Sequence, residues 1–127
     1  NSPYAMAKLT AIEIGDALSK EFGHEVINLM PTNLYGPNDN FSDKKSHVIP
    51  GLIHRMHKFK NEESNHLEVW GTGKPLREFL FVDDLSDAIL FILENEINNS
   101  LLNIGSGEET TIKELADTIK KVLPKKT

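Results

Sequence analysis

The sequence predicts a wound α/β domain, and three observations carry that prediction. A helical stripe of about twenty residues opens the chain, an extended apolar run follows it directly, and helical and extended patterns alternate from there to the end.

The first helix is predicted from Tyr4 to about Phe22. Tyr4, Lys8, Ala11, Gly15, Leu18 and Phe22 fall on one stripe, with Ala7 and Ile14 flanking it. Ser2 is placed to cap it, Pro3 suits its first position, and Gly23 suits its end. The small side chains of Ala11 and Gly15 point to close approach by a neighbour, either a partner helix or a sheet. Glu25 to Met30 then reads as a strand that Pro31 stops. The stretch from Pro31 to Phe41 is dense in turn formers, so it is predicted as a long loop without a regular element. It follows the carboxyl end of a strand, where ligands bind in open α/β sheets.

A second helix is predicted from His47 to about Lys60, capped by Ser46, with Ile49, Leu52, Ile53 and Met56 at helical spacing. Pro50 falls in its first turn, where a missing N–H costs no helical bond. Asn61 to Asn65 reads as an exposed connection, Leu67 to Trp70 as a short strand closed by Gly71-Thr72-Gly73, and Arg77 to Val82 as another strand. Asp83 or Asp84 would cap a third helix with Leu85, Ala88, Ile89, Ile92 and Leu93 on one side. Leu101 to Ile104 is a brief strand ending in Gly105-Ser106-Gly107. The last helix has the clearest signal, a capping box of Thr111 and Glu114 ahead of Ile112, Leu115, Ala116, Ile119, Val122 and Leu123. Lys120, Lys121, Lys125 and Lys126 load its carboxyl end, where cations suit the helix dipole.

Composition narrows the function. At 127 residues the chain suits one domain, and it has no cysteine, which removes disulfides, thiolate catalysis and cysteine-based zinc sites from this chain and suits a reducing compartment. The 19 acidic and 14 basic residues give a net charge of -5 with no basic stripe, which argues against a nucleic-acid partner. No apolar run approaches the roughly 20 residues of a membrane span. The chain has no initiator Met and opens almost inside a helix, so it is expected to be a piece of a longer protein.

Several residues carry chemistry. Tyr4 and Lys8 stand one turn apart and so share a helix face. A tyrosine phenol ordinarily titrates at about 10, so proton transfer near neutrality asks for about 4 kcal/mol of phenolate stabilisation, part of which an adjacent ammonium supplies. The alternative for the pair is an interfacial Tyr beside a solvated Lys. His47 opens a helix, where the dipole disfavours the imidazolium and eases proton release; a surface cap is its other reading. His54 and His57, at i and i+3, make a weak metal site without a nearby carboxylate, and no metal is expected. Arg55 lies eight residues beyond His47, about 12 Å along the axis, within reach of a diphosphate if His47 faces a sugar. Arg77 and Trp70 pair a guanidinium fork with an indole face, a combination suited to a nucleotide, although Arg77 could equally pair with Glu78 or Asp83 and Trp70 could be core.

Taken in order, P-Y-A-x-A-K from Pro3, P-T-N-L-Y-G-P-N-D-N-F from Pro31, S-H-V-I-P-G-L-I-H-R from Ser46 and V-W-G-T-G-K-P-L-R-E-F-L-F-V-D-D from Val69 closely resemble the GDP-L-fucose synthases. These are epimerase/reductases of the extended short-chain dehydrogenase/reductase superfamily. The match covers nearly the whole chain. It implies the C-terminal part of a Rossmann-like fold with the small substrate-binding region and without the dinucleotide-binding half. Residues 1–46 would end the Rossmann-like portion and residues 47–127 would be mainly substrate-binding.

By this resemblance Tyr4 would protonate the C4 oxygen of a GDP-4-keto-6-deoxymannose while NADPH gives hydride to C4, and Lys8 would hold the nicotinamide ribose. Pro31, Thr32, Asn33 and Leu34 would lie along the nicotinamide. His47 would be the acid in epimerisation at C3 and C5 and would also border the cofactor. Asn33, Arg55, Trp70 and Arg77 would hold the GDP-sugar. The resemblance further implies NADP as cofactor, a homodimer for the complete protein and a cytoplasmic location. The family's glycine-rich loop, a catalytic Ser and a Cys base are expected before Asn1, so this chain alone is expected to be inactive. Two other readings remain: another nucleotide-sugar epimerase or dehydratase, and a non-catalytic binding or assembly module.

Overall fold

In the computed structural model, which describes residues 1–42, 45–61 and 71–123, four helices surround two small sheets. Helix α1 spans Ser2–Phe22, and Gly23 ends it in the left-handed region at φ 70°, its N–H donating to the Ser19 carbonyl. A side chain at φ 70° would be strained, which is why glycine suits this stop. Ser2 is not the cap. It is already helical, Asn1 takes the cap position without a side-chain bond, and Ala5 N–H bonds the Asn1 carbonyl directly.

The predicted close approach occurs at Gly15, the buried residue of α1, where a Cβ would stand 2.8 Å from Val26 Cγ1. The neighbour is the segment leading into the sheet. The rest of the predicted stripe is exposed, including Tyr4 and Phe22, each at 68%.

Strand β1 is Asn28–Pro31, three residues later than predicted at its start and including Pro31. It pairs in parallel with β4, Leu101–Ile104, from Asn28 opposite Leu101 to Pro31 opposite Ile104. The stretch read as irregular contains strand β2, Asn33–Tyr35, parallel to β3, Leu76–Phe81. Pairing with β3 supplies what the local sequence lacks, so tertiary context overrides turn propensity. On its other edge β3 pairs antiparallel with β5, Glu109–Thr111, a three-residue strand too short to show a period. One residue, Thr32, joins β1 to β2, so the chain passes there from one sheet to the other, and its N–H still bonds the Ile104 carbonyl.

Helix α2 is Val48–Asn61. His47, not Ser46, occupies its cap position, since the His47 carbonyl accepts the first helical bond, from Gly51 N–H at 2.9 Å. Helix α3, Val82–Glu94, follows β3 without a linker. Phe81 is its cap residue, and Asp83 and Asp84 lie inside the first turn, where their charges suit the dipole without capping. Helix α4, Ile112–Val122, starts with the predicted box: Glu114 N–H donates to Thr111 Oγ1 and Thr111 N–H donates to Glu114 Oε2. The Thr111 N–H and the Thr111 hydroxyl both donate to the Glu114 carboxylate and hold it below its ordinary range.

The core lies between α2 and α4. Leu52, 1% exposed, and Met56 pack on Ala116, with Leu115, Ile119 and Leu123 around them. Val122, read as part of that apolar face, is instead 78% exposed at the helix end. The connection at 62–65 and the Leu67–Trp70 strand lie outside the described residues, as do Lys125 and Lys126.

Candidate functional site

A cleft of about 620 Å³ opens where α1, the β1–β2 junction and the start of α2 converge. Each wall follows from local sequence. The first turn of α1 contributes Tyr4 and Lys8, with Lys8 Nζ 5.6 Å from the centre of the Tyr4 ring. A cation at that range over an aromatic ring makes a cation–π contact. Pro31, Thr32, Asn33 and Leu34 form the floor, placed there because the β1–β4 ladder ends at Pro31 and the β2–β3 ladder begins at Asn33. His47, Val48, Ile49 and Pro50 close the far side. Tyr4, Lys8, Pro31, Thr32, Asn33, Leu34 and His47 therefore share one cavity although 43 positions separate Tyr4 from His47.

Asn33 is held by its side-chain nitrogen, which donates to the Glu78 carbonyl at 2.9 Å. The amide oxygen is left as an acceptor. Thr32 Oγ1 is buried and has no hydrogen-bond partner among the described residues. A smaller apolar hollow of about 170 Å³ adjoins the cleft, sharing Tyr35, Gly36, Pro37, Asp39, Ile49 and Pro50, and extends it to Phe41, Ile53 and Phe81. The Tyr35 and Phe81 rings meet there at 5.5 Å and 55°, a tilted packing typical of aromatic pairs.

Two predicted binding residues stand outside the cleft lining. Arg55 is half-buried on α2, its Nε donating to the Gly51 carbonyl one turn back. Arg77 is exposed, its Nη1 donating to the Leu76 carbonyl at 2.7 Å. Phe79, two residues along the same strand face, does line the cleft. Trp70 lies outside the described residues. Phe79, Val82 and Gly36 are lining residues that sequence reasoning missed. The two-residue alternation from Arg77 was a usable signal for Phe79, whereas Gly36 and Val82 depend on α3 following β3 with no turn.

Among the described residues, no three His, Asp or Glu side chains gather into a metal site, and no helix is long and apolar enough to cross a membrane.

Comparison with known proteins gives a consistent picture. The profile of the NAD dependent epimerase/dehydratase family matches residues 1–105. The chain is 50% identical over 123 residues to GDP-L-fucose synthase 1 of Arabidopsis thaliana, covering 97% of this chain and 38% of that protein. Among solved structures, a GDP-L-fucose synthetase from Naegleria fowleri bound to NADP is 33% identical, with TM-score 0.81, over 93% of this chain and 38% of that one. A UDP-N-acetylglucosamine 4-epimerase from Methanobrevibacter ruminantium, in complex with UDP-N-acetylmuramic acid, is 26% identical with TM-score 0.83 over 95% and 37%. The chain thus spans well under half the length of the relatives it matches.

Proposed function

Because the chain belongs to the NAD dependent epimerase/dehydratase family, we propose that it serves a GDP-L-fucose synthase, an NADP-dependent enzyme converting GDP-4-keto-6-deoxy-D-mannose to GDP-L-fucose. The observation that carries the reading is that Tyr4, Lys8, Pro31 to Leu34 and His47 all line one cleft. The 50% identity to the Arabidopsis synthase supports the choice within the family.

The donor set fits a nicotinamide nucleotide. A lysine ammonium beside a phenol suits a ribose hydroxyl and a carbonyl oxygen, and Pro31 and Leu34 offer an apolar wall to a flat ring. When bound, NADPH supplies the hydride that reduces C4. Tyr4 gives its phenolic proton to the C4 oxygen, and Lys8 holds the ribose while favouring the phenolate that results. His47, across the cleft, delivers a proton to C3 or C5 during epimerisation. The Asn33 amide oxygen orients the sugar, and Arg55, Trp70 and Arg77 bind the GDP moiety. Residues 1–46 form the cofactor side and residues 47–127 mainly the substrate side.

The Methanobrevibacter epimerase, with its TM-score of 0.83, favours a second reading in which the sugar nucleotide differs and His47 is incidental. His47→Gln in the protein that carries this chain separates the two. Under the first reading, solvent deuterium uptake at C3 and C5 of the GDP-4-keto sugar falls by about 10²-fold or more. Unchanged uptake at both carbons would overturn it.

A further inference from the structure

Glu78 lies in the middle of β3, flanked by Arg77 and Phe79, and no role in the chemistry above falls to it. Its carboxylate nevertheless reaches out of its own sheet. Glu78 Oε1 accepts from Gly107 N–H at 2.7 Å and from Ser106 Oγ at 3.5 Å, both in the turn after β4 of the other sheet. Its main-chain carbonyl accepts from Asn33 Nδ2 at 2.9 Å. One residue thus grips the turn that follows β4 with its side chain and the cleft floor with its backbone.

Two further observations place this grip at the switch between sheets. A Cβ at Gly105 would collide with the Glu78 carboxylate and stand 2.9 Å from Thr32 Cγ2, so the turn, the carboxylate and Thr32 are stacked with no room between them. Thr32 N–H bonds the Ile104 carbonyl at 3.0 Å, which ties the floor to the same turn from its other side. The floor segment is short and cannot fix its own conformation, since β2 has three residues and β1 four.

We propose that Glu78 is a positioning residue, holding the 105–107 turn and the Asn33 amide in the arrangement that shapes the nicotinamide floor of the cleft. The part of this inference that concerns the cofactor rests on the reading of the cleft given above. The Glu78 side chain acts through the 105–107 turn and Thr32, and it does not line the cleft. What matters is an acceptor at the right reach, more than its charge.

The test uses Glu78→Gln, Glu78→Asp and Glu78→Ala. Gln keeps both length and an acceptor oxygen, Asp keeps the charge but is one methylene short, and Ala keeps neither. In the 15N-labelled chain, Glu78→Asp and Glu78→Ala are expected to speed Gly107 amide exchange by about tenfold, as for a lost bond to a charged acceptor. They should also shift the Thr32 backbone amide resonance, because the turn packed against Thr32 loosens, while Glu78→Gln stays close to the parent; the Asn33 bond is made to the main-chain carbonyl of residue 78 and is kept in all three. In the protein that carries this chain, Asp and Ala should raise the KM for NADPH by about tenfold with kcat changed far less, and Gln should restore it. Glu78→Asp keeps the proposal testable if the Ala variant does not fold. Unaltered Gly107 exchange in Glu78→Asp, or a Gln variant as impaired as Asp, would overturn the inference. Failure of the parent protein to use NADPH would instead overturn the functional reading, with the Gly107 and Thr32 signals still deciding the role of Glu78.

Discussion

Gly36→Ala is the most informative single perturbation of the cleft wall. Gly36 follows β2 and lines the cavity, and a Cβ built on it would run into Val82 Cγ1 and stand 3.6 Å from Phe81 Cε2. Val82 opens α3, and a β-branched side chain in a helix has one strongly preferred rotamer, so it cannot swing aside cheaply. Overpacking of this kind costs about 2 kcal/mol. Gly36 has no positive φ, so alanine also restricts the unfolded chain, which offsets about 0.5 kcal/mol. The net expectation is a loss of about 1.5 kcal/mol in urea unfolding followed by circular dichroism, with the m-value unchanged. In a Val82→Ala background the Cγ1 obstruction is gone and only the residue-82 Cβ remains, at 3.3 Å, so the same Gly36→Ala change should be neutral or stabilise by at most about 0.5 kcal/mol. The coupling between the two sites is then about 2 kcal/mol. If Gly36→Ala costs the same in both backgrounds within about 0.5 kcal/mol, the steric reasoning is refuted.

Three other outcomes are expected. Leu52→Ala empties the centre of the α2–α4 contact and should cost about 3 kcal/mol, the lower part of the range because its neighbours at the helix surface can settle inward; a loss below about 1 kcal/mol would contradict that core. Thr32→Val removes a buried hydroxyl that has no partner among the described residues and should be neutral or stabilise by about 1 kcal/mol in the same urea assay, so a clear destabilisation would show that the hydroxyl is bonded. The Glu114 carboxyl is held below its ordinary range by the Thr111 N–H and hydroxyl. A carboxyl depressed in the folded state stabilises above its unfolded value, and that stability is lost as pH falls through the folded one. Acid titration of thermal stability should therefore be steeper for the parent than for Glu114→Gln; equal slopes would deny the box its ionised partner.

Those elements that the sequence announced are the ones whose signals are local. The Thr111–Glu114 box, the glycine stop at Gly23 and the run Leu101–Ile104 each need only neighbours in sequence, and all three are present as read. Strand β2 was illegible because Pro31-Thr32-Asn33 and Gly36-Pro37 look like a turn from within, and only the distant β3 makes the residues between them a strand. Caps at Ser2, Ser46 and Asp83 or Asp84 were misplaced by one to three residues for a related reason. Residue type identifies good cap formers, but the packing of the preceding segment decides where the first helical bond closes. The cleft membership of Tyr4, Lys8, Pro31 to Leu34 and His47 was legible because motif spacing and chain order agreed. The linking role of Glu78 was not, since it depends on a turn 28 residues away along the chain.

The passage of the chain through Thr32 also constrains how this segment can evolve. β1 is locked in register to β4 on one side of that residue and β2 to β3 on the other, with no slack between them. Inserting or deleting a single codon between residues 28 and 35 would turn every following side chain of β2 to the opposite face. Asn33 would leave Glu78, and the floor would present its wrong side to the cavity. Among the described residues from Pro37 to Ser46 no such ladder occurs, so length variation among natural relatives should collect there and stay out of residues 28–35.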